Sequence, residues 1–245
     1  MIRVLVNGAA GRMGRTVTKM VTDDPDMEVA AMVDAFGDTE EGYIKSLDDF
    51  DGECDVVIDF SFHTSAPALM DWCVSRGIPA VVATTGHTDE EKEAITKASE
   101  KVAIFQSANM SVGIALLNRL VKQAAEIFPS AEVEIIEAHH DQKADAPSGT
   151  ALMLADTVKE VRPEATYQIG RSGQCKRTPE EIGIHSLRMG NVTGEHEVIF
   201  AMPSQTIRLK HEAHDRALFA EGALAAAKYL IGKAPGKYNM EDLLG

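Results

Sequence analysis

Residues 1–34, MIRVLVNGAAGRMGRTVTKMVTDDPDMEVAAMVD, decide the fold. Positions 2–6 are a short apolar run that ends on a glycine turn, Gly8-Ala9-Ala10-Gly11-Arg12-Met13-Gly14. A helix can follow over 12–21, and a second apolar run, 27–33, closes on Asp34. A GxxGxxG turn between strand and helix gives each glycine a use. Without a Cβ it permits a tight turn, close backbone approach to a pyrophosphate, and close packing of helix on strand. The helix start offers N–H groups and a positive dipole end to phosphate. Asp34 comes at roughly the 20-residue spacing at which a carboxylate meets the hydroxyls of an adenosine ribose. Glycines alone are a weak signal; with the strand–turn–helix context and the spaced acid they indicate a dinucleotide site. The bland alternative is a structural turn and a solvated aspartate. Ala35 follows Asp34, so a 2′-phosphate would meet a carboxylate with no cation at the next position. NADH is therefore expected to be preferred over NADPH, unless Arg12 or Arg15 supplies the missing charge.

The same alternation continues outward. Strands are expected at 55–59, 79–83 and 102–105, and helices at 64–76 and 88–101, where Thr88 and Glu91 are spaced as a capping box. Strands alternating with helices indicate a Rossmann-type parallel sheet covered on both faces. The stretch 38–53 is acidic and weakly patterned, and reads as surface. Beyond residue 110 the pattern changes: a helix over 111–128, a strand over 132–139, a helix over 149–161, a polar loop rich in Arg and Gly, then strands at 182–188, 195–202 and 205–211. Three late strands without long helices between them suggest an antiparallel or mixed sheet in a smaller α+β domain. The expectation is a dinucleotide domain over 1–109 and a second domain over 110–215, followed by an Ala-rich helix from 216 that could pack on either.

Length and composition bound the function. A chain of 245 residues suits one or two domains. Its 44% apolar and 25% charged residues are ordinary for a globular protein. The net charge of −14 argues against nucleic acid or an anionic membrane as partner, since both need a positive field. No apolar run approaches a membrane span, and MIRVLVNG reads as a strand rather than a signal peptide. The three cysteines, Cys54, Cys73 and Cys175, form neither a disulfide framework nor a zinc pattern, and read as reduced thiols in a cytoplasmic protein.

The chemistry is densest at 137–151, EAHHDQKADAPSGTA. His139 and His140 end a strand and would point to opposite faces if it continued. Lys143 supplies a point charge, and Ser148-Gly149-Thr150 opens a helix whose N–H groups can hold a carboxylate. Two His, a Lys and a helix start suit a small carboxylic acid. The bland reading is an N-cap serine and solvated imidazoles. A metal site is not expected, because adjacent His rarely converge on one ion and no HExxH or CxxC supports them. His196, His211 and His214 lie on or beside predicted strands and read as hydrogen-bonded structural residues. Two further turns, Thr84-Thr85-Gly86 and Ser107-Ala108-Asn109-Met110, end strands on the edge where parallel sheets bind ligands.

GAAGRMG at 8–14, ATTG at 83–86, SANMS at 107–111 and EAHHDQKADAPSGTA at 137–151 together resemble the dihydrodipicolinate reductase family, as do GEHEVIFA at 194–201 and HEAHDRALFAEGAL at 211–224. The resemblance spans nearly the whole chain; its HHxxKxDxPSGTA stretch is highly specific and the glycine turn is not. It implies NAD(P)H-dependent reduction of a small dicarboxylate, the dehydrated form of 4-hydroxy-tetrahydrodipicolinate, in lysine and diaminopimelate biosynthesis. It also implies a homotetramer and a C-terminal helix that returns to the first domain. By motif match His139 is the acid/base residue and Lys143 the proton donor. His140 with Ser148, Gly149 and Thr150 holds substrate carboxylates. Gly8, Ala9, Ala10, Gly11, Arg12, Met13, Asp34, Thr84, Thr85, Gly86, Ser107, Ala108, Asn109 and Met110 match the cofactor segments. The residues by themselves leave open whether His139 or Lys143 delivers the proton. Three positions depart from the family pattern: Ala35 where some members carry a basic residue, Met110 where many have Phe, and Met189 within Arg188-Met189-Gly190 in place of a frequent R-G-G. Two other readings compete, another NAD(P)-dependent dehydrogenase of a small amino or keto acid, and a non-catalytic NAD-binding regulator. Neither requires the HHxxK…SGT stretch.

Overall fold

In a computed structural model describing residues 1–245, strand β1 (Ile2–Asn7) is buried from Val4 to Asn7. It pairs in parallel with β2 (Met27–Val33) on one side and β4 (Val56–Asp59) on the other. The sheet has seven strands in the order β12-β6-β5-β4-β1-β2-β3, where β3 is Tyr43–Ile44, β5 Ala80–Val82, β6 Ala103–Gln106 and β12 Gly236–Tyr238. All of its pairings are parallel. The central strands are apolar throughout because both faces are covered. Leu5, Val57, Val82 and Ile104 join Leu69, Trp72 and Ile95 in one core, the last three from α2 (Ala66–Arg76) and α3 (Asp89–Ser99). Strand order reverses at β1 and β4, the arrangement that opens a ligand crevice at the strands' carboxyl ends.

This sheet belongs to the first of two units, residues 1–112 with 217–245; the second is 113–216. Helix α6 (Ala217–Leu230) therefore groups with the parallel sheet, and Lys228 on it pairs with Asp24, 2.7 Å away, beyond α1 (Arg12–Asp23). The stretch 38–53, expected as weakly patterned surface, is exposed or half-buried apart from Phe50, and it also forms β3 between two single helical turns, 39–41 and 47–49, capped by Asp38 and Ser46. A two-residue strand carries no readable alternation. The tail likewise adds an edge strand, β12, and a short helix, α7 (Met240–Leu244).

The second unit packs α4 (Val112–Ile127) and α5 (Gly149–Val161) with a five-stranded sheet in the order β11-β10-β7-β9-β8. β7 is Glu132–His139, β9 Glu181–Arg188, β10 Gly194–Met202 and β11 Gln205–Ala213. β10 runs antiparallel to β7 and β11, whereas β7, β9 and β8 (Thr166–Ile169) are mutually parallel, so the sheet is mixed. β8 lies in the stretch expected as a polar loop; as an edge strand its residues are half-buried at most. Val133, Ile135, Ile184, Val198 and Phe200 face the helices. Each such side chain contributes about 1.5–3 kcal/mol by leaving water.

Candidate active site

The glycine turn stands at the carboxyl end of β1. Gly8 has φ +80, and a Cβ there would lie 2.6 Å from the Phe60 carbonyl oxygen; a Cβ on Gly14 would overlap the Gly8 carbonyl. The first fits a left-handed turn pressed on the loop after β4, and the second seats α1 on the turn. Gly11 caps α1 without a side-chain hydrogen bond, unlike α3, whose start is closed by the Thr88–Glu91 capping box. Arg12 and Gly11 are exposed there and Met13 is half-buried. A polyanion fits this cradle: backbone approach is open and the helix N–H groups have no competing cap.

Asp34, at the end of β2, accepts the Ala10 N–H at 3.0 Å on one oxygen and the Phe36 N–H at 2.8 Å on the other. The expected ribose acid is thus fixed against Ala9-Ala10 in the turn, and each oxygen retains further acceptor capacity. Lys45, not nominated from sequence, donates to the carbonyls of Ala35 and Gly37, so a cation does stand at this loop. Phe36 and Phe62, 86% and 69% exposed, follow the ends of β2 and β4.

At the end of β4, buried Asp59 accepts Asn7 Nδ2 at 2.8 Å, Ser61 Oγ at 2.5 Å and Thr84 Oγ1 at 2.7 Å. Burial pushes its carboxyl above the usual range, against the pull of those bonds. One carboxylate thereby ties the ends of β1, β4 and β5 together. Thr84, Thr85, Gly86, Ser107 and Ala108 line a cavity of about 560 Å³ with His87, Lys92 and Lys237, uniting two of the predicted turns. Asn109 closes the next turn by accepting the Ser111 N–H at 2.9 Å, and Met110 is buried. A larger cavity, about 680 Å³, opens around Met1, Asp55 and Lys233, at the amino ends of the strands where parallel sheets do not place ligands.

In the second unit, β7 carries Val133, Ile135, Glu137 and His139 on one face, by the two-residue period of a strand. Glu137 is fully buried. Its carboxylate accepts His139 Nδ1 at 2.6 Å, Arg188 at 2.8 and 2.9 Å, and the Ser148 N–H at 3.1 Å. Burial alone would raise Glu137, but Arg188, Ser186, His139 and the Ser148 amide outweigh it and hold the carboxyl at about 2. Burial lowers His139 below the usual histidine range, with Glu137 pulling the other way. Lys143 follows in a turn closed by its own N–H to the His140 carbonyl, and its ammonium meets Asp145 at 2.8 Å. His140 is half-buried in that turn.

Ser148 caps α5, accepting the Ala151 N–H at 3.2 Å, and its hydroxyl also meets His196 Nε2 at 3.0 Å. Gly149 beside it is exposed, with open space where a Cβ would stand, and Thr150 is half-buried. Burial and the neighbouring His139 push His196 down to about 4. The helix start and His139 thus meet on Glu137, and Lys143 joins them through Asp145 and Arg188. Glu137 and Arg188 were missed, whereas His196 is buried and hydrogen-bonded on its strand, as read. A carboxylate on the otherwise apolar inner face of a strand was a readable signal for Glu137. Arg188 and His196 reach the site through sheet pairing, with Arg188 opposite His139 and His196 opposite Glu137, and nothing local in the sequence shows that.

Two family profiles cover the chain: dihydrodipicolinate reductase, N-terminus, matches residues 2–110, and dihydrodipicolinate reductase, C-terminus, matches residues 113–244. A 4-hydroxy-tetrahydrodipicolinate reductase of Caldanaerobacter subterraneus subsp. tengcongensis is 47% identical over 247 residues, covering 100% of this chain and 98% of the relative. One from Clostridium tetani is 43% identical over 248 residues, covering 100% and 97%. A solved dipicolinate-bound dihydrodipicolinate reductase from Paenisporosarcina sp. TG-14 superposes with a TM-score of 0.83 at 28% identity, covering 98% of this chain and 97% of that one.

Proposed function

This chain belongs to the dihydrodipicolinate reductase family, and from that premise we propose how its residues divide the work. It is a pyridine-nucleotide-dependent oxidoreductase with the 4-hydroxy-tetrahydrodipicolinate reductase role of lysine and diaminopimelate biosynthesis. The observation that carries the assignment is the convergence of His139, Lys143 and the start of α5 around the Glu137–Arg188 pair.

In this reading the turn from Gly8 to Met13 holds the pyrophosphate and Asp34 the adenosine ribose. Phe36 and Phe62 offer flat apolar faces to an adenine. Thr84, Thr85 and Gly86 with Ser107 and Ala108 line the nicotinamide end, and Asn109 and Met110 form the turn behind it. The bound dinucleotide supplies a hydride. Ser148, Gly149, Thr150, His140 and Lys143 hold the carboxylates of a small dicarboxylate, the dehydrated form of 4-hydroxy-tetrahydrodipicolinate. Hydride adds to one carbon of its conjugated system, and the electron pair released takes a proton from Lys143 or His139. One double bond is reduced and tetrahydrodipicolinate leaves. General acid help of this kind is worth about 10²–10⁴-fold. NADH preference over NADPH rests on Asp34 and Ala35, and Lys45 is the observation that favours some use of NADPH.

A homotetramer is supported by the face of the five-stranded sheet away from α4 and α5, where Ile136, Ile199 and the charged Glu134, Glu197 and Arg208 lie. A cytoplasmic setting accords with three free thiols. No helix is long and apolar enough to cross a membrane. The test of the reaction is isotopic: reduced nucleotide deuterated at its transferable position should pass one deuterium to tetrahydrodipicolinate. Product carrying no label, or none formed, would overturn it.

A further inference from the structure

We propose that Glu137 is a positioning residue: clamped by Arg188, its carboxylate fixes His139 in the Nδ1–H tautomer and ties that imidazole to the Lys143 loop and to the start of α5. This rests on the reading of His139 and Lys143 as the proton-handling pair, and it adds what sets their geometry.

The donors around Glu137 settle the direction of each bond. Arg188 Nη1 gives to Oε2 at 2.9 Å and Nη2 to Oε1 at 2.8 Å, a bidentate pair; the Ser148 N–H gives to Oε1 at 3.1 Å. An arginine and a backbone amide can only donate, and an ionised carboxylate can only accept. His139 Nδ1, 2.6 Å from Oε2, must therefore carry the hydrogen. In the neutral ring Nε2 is then the lone-pair nitrogen. Nε2 faces Gly194, where an added Cβ would stand 3.1 Å away, so glycine leaves that nitrogen its room. The charged and titratable groups around the ring are Glu137 on its own strand, Arg188 from β9, His196 from β10, whose ring centroid is 5.1 Å away, and Lys143 from the following loop.

Arg188 extends the clamp. Its Nη2 also donates to the Asp145 carbonyl at 2.6 Å, and Asp145 Oδ1 accepts Lys143 Nζ at 2.8 Å. The Ser148 amide on the other side of Glu137 belongs to the N-cap of α5. One buried ion pair thus sets an imidazole, a lysine loop and a helix start against each other. A buried carboxylate with every acceptor direction used is held in one orientation, which is what a positioned first contact needs.

Glu137→Gln keeps the shape and removes the charge. The Oε1 position faces two donors that cannot reverse, Arg188 Nη2 and the Ser148 amide, so the amide oxygen takes it. The amide NH₂ then faces both Arg188 Nη1, whose bond to this position is lost while its bond to the Leu187 carbonyl remains, and His139, which must accept at Nδ1 and carry its hydrogen on Nε2.

The experiment reads histidine tautomers by long-range ¹H–¹⁵N correlation in full-length, ¹⁵N-labelled protein near neutral pH, with His139→Gln used to assign the resonances. The wild type should show His139 protonated at Nδ1. Glu137→Gln should switch it to Nε2 and lower kcat by about a hundredfold while the nucleotide KM stays within about twofold. Arg188→Lys, which retains a charge but not the fork, should keep the wild-type tautomer and lose less. An Nε2–H ring in the wild type would overturn the proposal even if Glu137→Gln does not fold. So would a Glu137→Gln protein with an unchanged tautomer and near-native kcat. A wild type that shows the Nδ1–H ring but never turns over 4-hydroxy-tetrahydrodipicolinate would instead sink the assignment of the reaction, leaving the ring's positioning intact.

Discussion

Lys143 is only 21% exposed at its side chain and is paired with Asp145, which is 59% exposed. A partner so open to water costs little to give up, so a substrate carboxylate can displace it. Lys143→Ala should therefore lose both a binding charge and a proton source, and most of kcat/KM with it, by about 10²–10⁴-fold. His139→Ala should lose less if water can take its place in proton transfer. Near-native kcat/KM in both variants, measured with the dicarboxylate varied at saturating nucleotide, would reject both roles. At the other ligand edge, Lys45 holds the carbonyls of Ala35 and Gly37 beside Asp34. Removing it should leave NADH use within about twofold and cut NADPH use further, because only a 2′-phosphate gains from the charge. Equal loss with both nucleotides would show that Lys45 serves the loop alone.

Helix α6 turns on one small residue. A Cβ on Gly222 would collide with the Met110 carbonyl, so the helix can lie this close to the end of the parallel sheet only with glycine there. Gly222→Ala should destabilise the protein by about 1–3 kcal/mol through overpacking. That outweighs the roughly 1 kcal/mol that alanine gains in a free helix. A denaturation midpoint equal to or above wild type would contradict this packing. His196 on β10 makes a pH prediction. Its folded value of about 4 lies below the ordinary 6.5, so the stability it contributes is complete above 6.5 and is lost as pH falls toward 4. Full protonation there costs on the order of 3 kcal/mol. Thermal midpoints followed from neutral pH down to pH 4 should fall more steeply in wild type than in His196→Gln; parallel slopes would remove His196 as the cause. Elements with a long period were legible in advance: β7 and α5 fall where the pattern puts them, and the glycine turn and the HHxxK stretch stand at the carboxyl ends of β1 and β7. β3, β8 and β12 were not, because two to four residues on a sheet edge carry no periodicity and owe their form to the neighbouring strand. The placement of Arg188 and His196 opposite His139 and Glu137 was illegible for a related reason, since register across a sheet is a property of paired strands rather than of either segment, although His196 as a hydrogen-bonded strand residue was readable.

Across the whole molecule, a net charge of −14 makes the local cations decisive for anionic ligands. Binding that leans on Arg12, Lys45 and Lys143 should weaken as salt is raised, over the range in which the screening length falls from about 10 Å to about 3 Å. The uncovered face of the five-stranded sheet predicts self-association. Sedimentation should give four chains per particle, and Ile136→Glu with Ile199→Glu should release smaller species; a monomeric wild type would leave that face unexplained. The whole account rests on the two ligand edges serving one reaction. The most direct measurement follows oxidation of NADH and of NADPH, separately, with freshly generated 4-hydroxy-tetrahydrodipicolinate. The account predicts sustained turnover with both and a higher kcat/KM for NADH. Nucleotide binding without any turnover would contradict it, leaving a dinucleotide domain joined to a site that does other chemistry.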